Sequence, residues 1–143
     1  MVLAIGVSLS ACDDETTGIE DEHFEPVSMQ LVLGGQVLVT AGSVGGPVQG
    51  ELTVAEGEET AHIDVRFLDE NGNVTEPDDD VSLAVTVGDV NIAGWEQDIP
   101  GEFGGHLHGE SAGQTTLVFS VIHGSHADWI SAEVSAVVEA AGS

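Results

Sequence analysis

Four of the six histidines fall between positions 106 and 126, as His106-Leu107-His108 and His123-Gly124-Ser125-His126. Imidazole nitrogens are ligands for zinc, copper(II) and nickel, and two of them held on one side of a backbone can chelate a single ion. In an extended strand residues i and i+2 point the same way, so His106 and His108 share a face. Gly124-Ser125 suits a two-residue hairpin of type II′, with glycine first. That turn sets His123 opposite His126, with their Cβ atoms roughly 4.5–5.5 Å apart. Asp128 falls on the same face, as a further ligand or as an acceptor that orients an imidazole. The candidate metal-ligating set is therefore His106, His108, His123, His126 and Asp128, converging on zinc or copper(II) if the two pairs meet. His62 is a further candidate. The competing reading is electrostatic: in a chain with no lysine, histidines also serve as the positive partners of carboxylates.

Strands must position these groups. From Val27 onward the apolar pattern has period two, with β-branched residues and frequent glycine. Strands are expected at Met29–Leu33, Gln36–Thr40, Glu51–Val54, Ala61–Leu68, Val81–Val87, His106–Gly109, Thr115–His123 and Ala127–Val138. Asn71-Gly72 reads as a tight turn. Carrying the hairpin register outward puts Leu117, Phe119 and Val121 on one face with His123. Ile130, Ala132 and Val134 then share that face with His126, Asp128 lies opposite Val121, and Trp129 points away. The expected fold is all-β, an antiparallel sandwich of seven to eight strands over residues 27–140.

Composition narrows the partners. Of 143 residues, 26 are Asp or Glu and one is basic, Arg66, for a formal net charge of −25. No surface of this chain neutralises phosphates, which excludes nucleic acid. The same field keeps the protein soluble and concentrates cations. A single cysteine leaves none for a disulfide or a thiolate cluster.

That cysteine ends the segment Leu9-Ser10-Ala11-Cys12, which follows an apolar run from Val2. The segment resembles the lipobox of bacterial lipoproteins. The resemblance implies a signal segment at 1–11, cleavage before Cys12, and lipid on Cys12 that anchors the chain to a membrane of the cell envelope, the outer membrane being the expected one, on its periplasmic or surface face. Residues 12–26 are rich in acids and read as a disordered tether. Asp13-Asp14-Glu15 resembles both the acidic export signal of surface lipoproteins and, through Asp13, an inner-membrane retention signal.

Ser111-Ala112-Gly113-Gln114-Thr115-Thr116-Leu117, followed by a turn and a last alternating strand, resembles the C-terminal half of bacterial immunoglobulin-like domains. Such domains serve as spacers, adhesion modules or partner-binding units, so the likeness implies architecture more than activity. Phe103-Gly104-Gly105-His106-Leu107-His108 shares a His-x-His strand with copper-zinc superoxide dismutases, but the disulfide cysteines and zinc loop of that family are absent. Asp69-Glu70-Asn71-Gly72-Asn73 lacks the glycine and glutamate that a calcium loop needs, and reads as a turn. No serine sits in a nucleophile elbow, and no catalytic constellation is evident. The sequence therefore points to a lipid-anchored, metal-binding, non-enzymatic sandwich that a further envelope protein could engage. The alternative is an immunoglobulin-like structural or adhesion module without metal.

Overall fold

In Ile63-Asp64-Val65-Arg66-Phe67-Leu68 the odd positions are buried and Asp64 and Arg66 are exposed, as a strand with one wet face requires. The same alternation recurs along the chain. The computed structural model describes residues 24–141. The lipobox, Cys12 and most of the acidic tether lie outside the described residues.

Among the described residues, twelve strands make two packed sheets. They are β1 (Ser28–Leu33), β2 (Gln36–Gly42), β3 (Val48–Gly50), β4 (Leu52–Ala55), β5 (Ile63–Leu68), β6 (Val74–Thr75), β7 (Val81–Val87), β8 (Ala93–Glu96), β9 (Gly104–Gly109), β10 (Gly113–His123), β11 (His126–Ile130) and β12 (Val134–Glu139). The first sheet runs β3-β2-β1-β5-β9-β8, with β6 also on β5. In the second, β10 carries β7 on one edge and shares its other edge between β11 and β12, and β4 lies beyond β12. No helix among the described residues is long and apolar enough to cross a membrane.

The all-β sandwich expected from the periodicity is the fold observed, with three differences. Twelve strands replace the seven or eight expected, because short β3, β6 and β8 lack the length to show alternation. One pairing, β4 with β12, is parallel. The expected single strand Ala127–Val138 is two strands, since the chain turns a corner at 131–133. There β10 changes partner from β11 to β12, and buried Ser131 bridges the gap. Its hydroxyl accepts from the Phe119 amide at 2.9 Å and donates to the Ala132 carbonyl at 2.8 Å.

Aromatic rings join the sheets. Phe67 is fully buried and meets Phe24, Phe103 and Trp129 edge-on at 5.2, 5.7 and 5.7 Å between centroids. Trp95 meets Phe119 at 5.2 Å, so this tryptophan is a packing residue. Asn71-Gly72 forms the expected turn: Gly72 has φ 84°, and one carboxylate oxygen of Asp69 accepts from the amides of Asn71 and Asn73.

Candidate metal centre

At the tip of β10 and β11 the sequence reading holds: His123 is paired with His126 across Gly124-Ser125. Gly124 has φ 66°, the sign that the first position of a type II′ turn needs. The two imidazoles stand 5.6 Å apart between centroids.

One turn further in, the register slips. Ile122 pairs with Ala127 but Val121 pairs with Trp129, leaving Asp128 as the extra residue of a β-bulge. This corrects the expected faces. Trp129, not Asp128, stands opposite Val121 and enters the core, while Ile130 is exposed. The bulge frees Asp128 to turn its carboxylate back under the hairpin. Its side chain is only 6% exposed, with Oδ1 3.1 Å from His126 Nε2 and Oδ2 3.4 Å from His123 Nδ1. β7 contributes from the other edge: Val81 pairs with His123, which brings Asp80 Oδ2 to 2.9 Å from His123 Nε2. One ligand atom each from His123, His126 and Asp128 lies within 4.8 Å of the others.

The second pair is elsewhere. On β9, Leu107 is fully buried and its neighbours His106 and His108 face outward from the first sheet. Among the described residues no group of convergent ligand atoms combines these with His123 or His126. A single centre built from all four histidines is therefore not formed. The reason is topological: β9 sits between β5 and β8 in one sheet, and the hairpin closes the end of the other.

His106 and His108 instead join a row of alternating imidazoles and carboxylates. Glu102 Oε2 is 3.3 Å from His62 Nε2, and His62 Nε2 is 3.9 Å from Asp98 Oδ2. The same Asp98 oxygen is 3.0 Å from His106 Nε2. Glu59 stands between His106 and His108, at 3.9 and 3.3 Å, and Glu96 closes the row 3.0 Å from His108 Nε2. His106 donates its Nδ1 hydrogen to the Thr60 carbonyl at 2.9 Å. That bond, then the one to Asp98, raises the His106 pKa above its ordinary value, against a smaller lowering by burial. Thr60 is itself held, its hydroxyl accepting from the Leu107 amide at 3.0 Å.

All five histidines among the described residues thus contact carboxylates. Asp80, Glu59 and Glu102 escape sequence reasoning because they come from loops whose path periodicity does not give. No protein-family model matches the chain, and no curated protein matches it either.

Proposed function

We propose that this protein is a lipid-anchored domain of the cell envelope that binds a divalent transition metal, zinc or copper(II), at the hairpin formed by His123, His126 and Asp128, with Asp80 beside it. Its role is storage, delivery or sensing of the metal, not turnover. The observation that carries the reading is the Asp128 carboxylate, nearly buried and touching both imidazoles at 3.1 and 3.4 Å. Two ligands about 2.0–2.1 Å from a tetrahedral zinc stand roughly 3.3 Å apart, so these spacings need little change to admit the ion. The likeness of Leu9-Ser10-Ala11-Cys12 to a lipobox supports the anchor. The sandwich is compatible with an immunoglobulin-like module, a fold that presents end loops on a rigid body.

Zinc and copper(II) titrated by calorimetry into the Cys12→Ser chain test this. A site with Kd of about 1 μM or tighter, abolished in His123→Ala/His126→Ala, is the expected result. A hairpin that binds only at millimolar metal overturns it. It would favour the second reading, a metal-free structural or adhesion module whose histidines act as counter-ions, for which the pairing of every imidazole among the described residues with a carboxylate, in a chain with one arginine, is the specific support. Membrane partition of native chain against Cys12→Ser, made in a bacterial host, tests the anchor.

A further inference from the structure

We propose that the outer wall of the first sheet carries a second, separate site for a zinc-class divalent ion, formed by His62, Asp98, Glu102 and His106.

Three features build it. The first is a fixed tautomer. His106 gives its Nδ1 hydrogen to the Thr60 carbonyl, so the neutral ring keeps its lone pair on Nε2, 3.0 Å from Asp98 Oδ2. A ligating histidine held in this way by a backbone carbonyl on its other nitrogen is the usual arrangement at metal centres. At that distance a second proton on the ring, or a metal ion that displaces it, joins Nε2 to the carboxylate. The second is a notch in the backbone. A Cβ on Gly104 would lie 2.5 Å from Cε1 and 2.8 Å from Nε2 of His62, so the glycine makes room for that ring. The notch sets His62 and His106 edge to face at 5.3 Å, both turned toward Asp98.

The third is a braced loop. Glu102 Oε2 faces His62 Nε2 and also accepts from the Asp98 amide at 2.9 Å. The Gln97 side chain donates to the carbonyls of Leu83 and Glu102 and accepts from the Gly101 amide, tying the loop to β7. Ligand atoms of His62, Asp98 and Glu102 lie within 4.8 Å of one another before any ion is bound, and His106 adjoins that group through Asp98 Oδ2, which its Nε2 meets at 3.0 Å. Two imidazoles with two carboxylates form a borderline donor set, suited to zinc and not to magnesium or calcium.

This site does not depend on the hairpin. Zinc sulfate is titrated by calorimetry into the Cys12→Ser chain and its variants. The chain is expected to take two zinc ions, and His123→Ala/His126→Ala and His62→Gln/His106→Gln to take one each. In the hairpin variant, zinc is expected to shift the imidazole ¹⁵N resonances of His62 and His106. Asp98→Asn, at an exposed position, keeps the fold by circular dichroism and weakens this binding tenfold or more. If the Cys12→Ser chain takes one zinc ion and His123→Ala/His126→Ala takes none, the wall site is refuted and the hairpin reading stands; if the Cys12→Ser chain takes none, both are refuted. If His123→Ala/His126→Ala retains one ion while His62→Gln/His106→Gln binds none, the wall stands and the hairpin reading fails. Zinc held by the hairpin variant with the His62 and His106 resonances unmoved also overturns the proposal.

Discussion

His106 and Thr60 are joined through a ring hydrogen donated to a backbone carbonyl at 2.9 Å, and this one bond is the largest cause of the raised His106 pKa. The raised value means that the folded state holds the proton more tightly than the unfolded chain does. The stabilisation is fully present below the unfolded value of about 6.5 and is lost as pH rises through the folded value. The groups facing the ring are Asp98, Glu59, His62 and the Thr60 carbonyl. In chelator-treated protein, the melting temperature of the native chain relative to His106→Gln should therefore fall as pH rises above about 6.5. Parallel melting curves above that pH would refute the assignment.

Gly124 should be needed by the metal hairpin for its backbone alone. Its φ of 66° is strained for an L side chain, and a Cβ there would touch nothing within 4 Å. Gly124→Ala is expected to lower stability by about 1 kcal/mol and to weaken zinc binding at the His123 and His126 pair. Gly124→Asn, which tolerates positive φ, should recover much of both. Denaturant melts and calorimetry on the two variants provide the comparison.

Ser131→Ala tests the corner. The substitution removes the acceptor of the Phe119 amide inside the core. A buried donor left without its partner costs about 1–3 kcal/mol. Urea unfolding should show that loss, and hydrogen exchange should show faster exchange at Phe119 than at its neighbours on β10.

The periodicity of β5, β7 and β10 is readable because each alternates over most of its length against one core. Val81–Val87 has the expected limits in the structure. The hairpin pair His123 and His126 is readable because a two-residue glycine turn fixes it locally. The bulge at Asp128 is not, since an inserted residue leaves the composition of a strand unchanged and only the burial of Trp129 against Phe67 betrays it. The company kept by His106 was also hidden. Asp98 reaches it through a loop, and His62 through the pairing of Ile63 with Gly105. Long-range register of this kind has no signature in a short window.

The acidic surface gives a fourth expectation. With a net charge of −25, the folded chain carries self-repulsion that mobile ions screen. Raising sodium chloride from about 10 mM to 500 mM, across which the Debye length falls from roughly 30 Å to under 5 Å, should raise the melting temperature of metal-free protein. A melting temperature that falls with salt would show instead that the imidazole–carboxylate contacts outweigh the repulsion.

The parallel contact of β4 with β12 bears on biogenesis. Leu52 and Val54 are buried in the finished molecule, and their strand is hydrogen-bonded to the one that contains Ala136 and Val138. A chain synthesised from its amino end presents β4 long before β12 exists. Until the last strand emerges, the second sheet lacks its closing seam and those apolar side chains stay open to solvent. Closure of that seam must then wait until β12 has been synthesised.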